Sequence, residues 1–349
     1  MESVIPLGPT PANPARIALL QLPATRAICS YITACFGLSV TSEALRAVGL
    51  RKTYHPRGAS PVEALKGVSI TIQKGERIAI LGRNGAGKTT FLRICSTLLL
   101  PTSGSLEIFG SDVVAHPEQV RPLIAIVPQE GKPFYHLTPR EQIYAYLRAR
   151  GIGRQEAKAR VAEALGQMEL ESVADRLSVT LSGGQKQRVM VATVIATRAP
   201  LLFLDEPTIG MDPFARRKVW DSMRSLTLQG STILLTTHYL DEAEELSQRL
   251  YVIEGGRVLV EGTASSIKQQ VGGTLKVSVA NGGAIREQLS TFGEIIPDGI
   301  TIHLITSPER INEVMALAVR NGLSATVGPV TLEEAFLRIV GRSIDAGEE

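Results

Sequence analysis

The run "RIAILGRNGAGKTTFLRI" restricts the fold more than any other part of the chain, because an unbroken apolar stretch stops at glycines and reopens at once as a helix. A short run that apolar is buried on both faces, as the strands of a parallel sheet are. Strand, glycine loop, helix is how a nucleotide-binding α/β core begins. Gly82 to Thr89 also fit the spacing GxxxxGK[ST] in the required context. Glycines there let successive N–H groups face phosphates, and the helix start adds a favourable dipole. Lys88 is placed to reach the β and γ groups, and Thr89 to ligate Mg²⁺.

A second apolar run, "LLFLDE", ends in Asp205, placed to hold Mg²⁺, and Glu206, placed to orient or deprotonate water. A third, "TILLTTH", ends in His238, which reads either as a γ-phosphate hydrogen-bonder or as a cap or core residue. Gln129 closes "IAIVPQ" and could reach Mg²⁺, the lytic water or only solvent. Tyr54 could stack on adenine or simply edge a strand. A second glycine pair, in "LSGGQKQR" at residues 181–188, sits before a helix like another phosphate cradle, but no lysine follows at cradle spacing.

Composition narrows the classes without choosing among them. A chain of 349 residues, 44% hydrophobic, buries a real core and suits two domains. With 37 basic against 34 acidic residues the net charge is only +3, so no nucleic-acid partner is expected. Cys29, Cys35 and Cys95 form neither a CxxC pair nor a metal-ligand spacing, and read as small hydrophobes in a reduced setting. No window of about 18 uncharged apolar residues reads as a membrane span. The nearest, residues 17–40, is broken by Pro23 and Arg26. Residues 1–42 read as an N-terminal extension: a disordered tail, an interfacial anchor or, ranked first, sequence translated from a misplaced start codon.

From residue 43 to 264 the pattern predicts strands around a small antiparallel sheet, then the α/β core. A helical arm interrupts it from about 135 to 200, its first helix opening with the capping box of Thr138 and Glu141. "LYVIEGGRVLVEG" reads as a hairpin on a Gly-Gly turn. Residues 265–349 alternate strand and helix as a small α+β, ferredoxin-like unit, then give the helix "TLEEAFLRIVG" and a frayed "IDAGEE".

Tyr54, "GRNGAGKTT", Gln129, "LSGGQ", "LLFLDEP", Asp212 in "GMDP" and His238 occur in an order and approximate spacing that resembles the ATP-binding cassette (ABC) family over about residues 43–262. The resemblance implies a Mg²⁺-dependent ATPase whose nucleotide lies between two cassettes arranged head to tail, as homodimer or heterodimer. Tyr54 would stack on adenine, and Gly82, Arg83, Asn84, Gly85, Ala86, Gly87, Lys88, Thr89 and Thr90 would form the phosphate loop. Ser182, Gly183, Gly184 and Gln185 would grip the γ-phosphate held by the other cassette, which accounts for the missing lysine. Asp212 would bridge the two copies. Asp205, with Thr89 and Gln129, would serve the metal; Glu206 would be the base, His238 the switch and Gln129 the sensor facing a transmembrane permease. The implied place is peripheral, on the cytoplasmic face of a membrane, in a transporter. The C-terminal helix is similar to that of drug, polysaccharide and nodulation-factor exporters, although that subgroup often has methionine where this chain has Gln185. The rival reading is a soluble ABC ATPase of repair or iron–sulfur assembly. One cassette, with no cysteine cluster and no heptads, favours the transporter.

Overall fold

The computed structural model describes residues 42–129, 131–270 and 275–345; the expected N-terminal extension, with Cys29 and Cys35, lies outside them. From Glu43 onward the described residues form one compact unit. Its first sheet is antiparallel and contains β1 (Glu43–Tyr54), β2 (Val62–Gln73), β4 (Ser103–Ile108) and β5 (Ser111–Asp112), in the order β2-β1-β4-β5. The stretch "GSLEIFGSDV" thus divides into two strands, around Phe109 and Gly110, which both have positive φ. The main sheet contains β3 (Arg77–Leu81), β6 (Ile124–Val127), β7 (Leu201–Asp205), β8 (Thr232–Thr237), β9 (Arg249–Glu254) and β10 (Arg257–Gly262). Its order is β10-β9-β3-β8-β7-β6, parallel throughout except for the β9–β10 hairpin. That hairpin turns at Gly255 and Gly256, both at positive φ, as a tight two-residue turn requires.

The continuous apolar runs resolve into alternation once both faces are covered. Ile78, Ile80, Leu201, Phe203 and Leu234 face a core shared with the antiparallel sheet and with α1 (Lys88–Cys95). Ala79, Leu81, Leu202, Leu204, Ile233 and Leu235 face the opposite core, under the helical arm. Each such leucine is fully wrapped, so truncating Leu204 to alanine should cost ~2–5 kcal/mol. Cys95 on α1 is buried, and burial raises its thiol pKa well above the usual value, in keeping with a packing role.

Between β5 and β6 lies the one-turn α2 (Pro117–Val120). The arm comprises α3 (Pro139–Ala149), α4 (Arg154–Gln167) and α5 (Gly183–Ile195). The box at α3 forms as its sequence predicts, with the Glu141 N–H donating to Thr138 Oγ1 and the Thr138 N–H to Glu141 Oε2. Helices α6 (Pro213–Leu228), α7 (Leu240–Leu246) and α8 (Ala264–Gln270) complete the cassette.

The C-terminal part has β11 (Leu275–Ala280), α9 (Arg286–Ser290), β12 (Glu294–Asp298), β13 (Thr301–Thr306), α10 (Ile311–Arg320), β14 (Ala325–Pro329) and α11 (Leu332–Asp345). Its strands pair antiparallel in the order β12-β13-β11-β14. One face holds a small core of Val277, Val279, Leu304, Val314 and Ala318. Ile305, next to Leu304, points the other way and joins Leu332, Ala335 and Val340 of α11 in the cassette's own core. The last helix is therefore a piece of the cassette rather than a trailing end. It runs to Asp345, one turn beyond Gly341, and residues 346–349 lie outside the described residues. No helix among the described residues is long and apolar enough to cross a membrane.

Candidate functional site

The parallel strands deliver their polar carboxyl ends to one edge of the sheet, where ligand crevices of open α/β sheets form. A cleft of about 880 Å³ lies there. Every residue from Gly82 to Thr90 lines it, together with Gln129, Glu206 and His238. The loop is tightly built. Gly87 has φ 107°, and a Cβ there would stand 2.6 Å from the Ala64 carbonyl. Lys88 Nζ donates to the carbonyls of Gly82 and Arg83 at 2.8 and 3.1 Å. Burial lowers the Lys88 pKa, and the nearby carboxylates Glu206, Asp205 and Glu254 offset part of that.

Asp205 ends β7 almost completely buried. Burial raises its pKa, opposed by hydrogen bonds from Thr236 and Thr89. Thr89 Oγ1 in turn lies 3.3 Å from Gln129 Oε1, so a hydroxyl, an amide oxygen and a carboxylate converge. Glu206 follows in the left-handed region at φ 50°, held there by its N–H, which donates to the Thr236 carbonyl and Oγ1 at 3.1 and 3.2 Å. His238 Nδ1 is 3.3 Å from Glu206 Oε2. The His238 ring leans on Tyr239, with centroids 4.1 Å apart, and the Arg216 guanidinium covers Tyr239 at 4.2 Å.

Tyr54 does not line the cleft. Its hydroxyl lies 3.4 Å from Thr90 Oγ1, and Lys52 Nζ stands 5.4 Å from its ring centroid. Ser182, Gly183, Gly184, Gln185 and Asp212 are also outside the lining. They form a second group: a Cβ on Gly184 would meet the Gly210 carbonyl at 3.1 Å, so the start of α5 packs on the turn that leads to Asp212. Ser182 caps α5, accepting from the Gln185 N–H at 3.2 Å while its own N–H donates to Gln185 Oε1 at 2.9 Å. The glutamine at this place thus has a local reason, since methionine has no oxygen to close the box. Asp212 caps α6, its Oδ1 accepting from the Phe214 and Ala215 N–H groups at 3.0 Å each. Those bonds, Ala215's first, lower its pKa.

The sequence reading missed the apolar wall of the cleft, made by Ala64, Ile209, Leu240 and Phe336. Phe336 was legible as part of an amphipathic stripe with Leu332, Ala335, Ile339 and Val340. Spacing alone gives the buried face of a helix, not its neighbour.

Residues 65–209 match the family model described as ABC transporter. The chain is 36% identical over 320 residues to the daunorubicin/doxorubicin resistance ATP-binding protein DrrA of Streptomyces peucetius, covering 87% of this chain and 94% of that protein. It is 37% identical over 282 residues to the Nod factor export ATP-binding protein I of Burkholderia thailandensis, covering 80% of this chain and 92% of that one. Among solved structures, an ATP-binding subunit of an ABC transporter superimposes with a TM-score of 0.60 at 30% identity, covering 66% of this chain and 93% of that one. A dimeric ATP-binding cassette in a post-hydrolysis state with ADP and phosphate gives 0.59 at 29% identity, covering 63% and 98%. A phosphate loop, Glu206 and a histidine meet in one cleft, with Asp205 buried at the end of the strand before Glu206, in a chain with these relatives, and the chain accordingly belongs to the ABC transporter family as one of its ATP-binding, ATP-hydrolysing proteins.

Proposed function

We propose that the chain is the ATPase subunit of an exporter, working on the cytoplasmic face of a membrane as a pair of cassettes that drives a separate transmembrane permease. The observation that carries this reading is the division of the predicted residues into two groups. Lys88, Glu206 and His238 share the cleft, whereas Ser182 to Gln185 and Asp212 lie outside it and are left to serve a second copy. A helix start with a glycine pair and no lysine suits a γ-phosphate already bound elsewhere. The exporters named among the relatives support the direction of transport.

Thr89, Gln129 and Asp205 would hold Mg²⁺. Among the described residues no cluster of three His, Cys, Asp or Glu side chains could hold a metal alone. A set of neutral and acidic oxygens fits an ion that keeps water and substrate phosphates as its other ligands, and that ion neutralises phosphate charge when bound. Lys88 pairs with the β and γ groups, exchanging its bonds to the loop carbonyls for phosphate oxygens. Glu206 orients and deprotonates the attacking water, and His238, beside it, bonds the γ-phosphate. Closure favoured by γ-phosphate contacts, then opening after hydrolysis, is a ligand-biased two-state motion.

The test is the Glu206→Gln chain with Mg-ATP. It should bind nucleotide, run as a dimer in gel filtration and lose turnover by about 10²–10⁴-fold, the range for a removed general base. Hydrolysis at the unsubstituted rate would end the assignment of Glu206, and a monomer at every concentration would end the paired site.

A further inference from the structure

Glu242 lies outside every group described so far, yet it is completely buried. Its Oε1 accepts from Thr208 Oγ1 at 2.8 Å and from Trp220 Nε1 at 3.0 Å, and its Oε2 is buried with no hydrogen-bond partner. These partners lie on different elements. Thr208, itself 1% exposed, belongs to the turn between Glu206 and Asp212. Trp220 is on α6, which Asp212 caps, and Glu242 is on α7, which starts two residues after His238. The same turn is also held by the buried Gln187 of α5, whose Nε2 donates to the Pro207 carbonyl at 3.2 Å. An apolar residue beside Ala243 and Leu246 would stabilise α7 without the desolvation cost of a buried carboxyl. What the carboxyl adds is direction, because one oxygen fixes two donors from two elements.

We propose that Glu242 is a positioning residue of the hydrolysis site, clasping the turn that carries Glu206 and Asp212 to the helix that follows His238. The clasp ties the water-activating carboxylate, the histidine beside it and the residue that faces the second copy into one rigid piece, so that they move together. Burial raises the Glu242 pKa, opposed by Thr237, Thr208, Trp220 and the Arg216 charge. This proposal rests on the roles given above to Glu206, His238 and Asp212.

The experiment measures ATP binding and turnover of the full chain with Glu242→Ala, Glu242→Gln, Thr208→Val and the Glu242→Ala/Thr208→Val pair, with Glu206→Gln alongside. Glu242→Ala should lower kcat at least tenfold with ATP affinity within threefold. Glu242→Gln keeps an oxygen for both donors and should stay within threefold of the unsubstituted chain. Thr208→Val should slow turnover at least threefold, and the double variant should be no slower than Glu242→Ala alone, as expected for two groups acting through one contact. Trp220 is the chain's single tryptophan, so its emission should shift in Glu242→Ala and not in Glu242→Gln. Normal turnover in Glu242→Ala, equal damage in Glu242→Gln, or strictly multiplicative losses in the double variant would overturn the proposal. If Glu242→Ala does not fold, Thr208→Val and Glu242→Gln decide alone. Normal turnover in Glu206→Gln would instead remove the reading beneath it.

Discussion

Glu206 Oε2 faces His238 Nδ1 across 3.3 Å from a backbone held at φ 50°, a region that residues other than glycine rarely occupy. The bonds from its N–H to Thr236 hold that conformation against a cost of ~1–2 kcal/mol. Strain of this kind persists where the surrounding structure over-determines it, and it turns the carboxylate into the cleft.

Glu206→Gly and Glu206→Ala both remove the carboxylate, but only alanine keeps the left-handed cost. The glycine variant should therefore unfold in urea with a free energy about 1 kcal/mol higher than the alanine variant. Equal stabilities would mean that this backbone is not strained.

Gly87→Ala places a Cβ against the Ala64 carbonyl, in a left-handed conformation. The phosphate loop has to shift, so ATP affinity should fall at least tenfold and stability by ~2 kcal/mol. Isothermal titration and denaturant unfolding measure the two effects. Unchanged ATP affinity would show that the loop tolerates the shift.

How much of this was open to a reader of the sequence depends on whether the signal is local. The phosphate loop, the ends of β7 and β8, the capping box of α3 and the Gly255–Gly256 turn each lie within a few consecutive residues, and each is where the spacing puts it. The Thr208–Glu242–Trp220 clasp and the wall at Phe336 join residues far apart in the chain, and no period or motif relates them. Tyr54 is the intermediate case. Its place at the end of β1 was readable, but its position outside the cleft lining depends on how two sheets pack.

Gln185→Met should remove the bond that the Ser182 N–H gives to Gln185 Oε1 while leaving the Ser182 hydroxyl on the backbone of residue 185. Half of a capping box is lost, for a cost of ~0.5–1 kcal/mol in denaturant unfolding. No change in stability would show that the side-chain half contributes nothing.

Lys276 on β11 pairs with Glu334 on α11, which also takes the Thr331 N–H at 2.8 Å as the box of that helix. Burial alone would raise the Glu334 pKa, but Lys276 and Thr331 outweigh it and hold the group below its usual 4.5. A depressed folded pKa gives stability that is complete above the unfolded value and is lost as pH falls through the folded one. Melting temperature should thus drop more steeply below about pH 4.5 in the unsubstituted chain than in Glu334→Gln. At pH 7, Lys276→Met takes the ion-pair partner from a carboxylate that is 5% exposed and should cost ~3 kcal/mol. Parallel acid profiles for the two chains would contradict this account.

Phe336 walls the cleft, yet it follows the phosphate loop by most of the length of the unit. The ribosome makes the two ends of that contact at very different times. The strand that leads into the phosphate loop finds both its neighbours only after β8 and β9 have been made, and the cleft is finished only after α11 has left the exit tunnel and settled against β9 and β10.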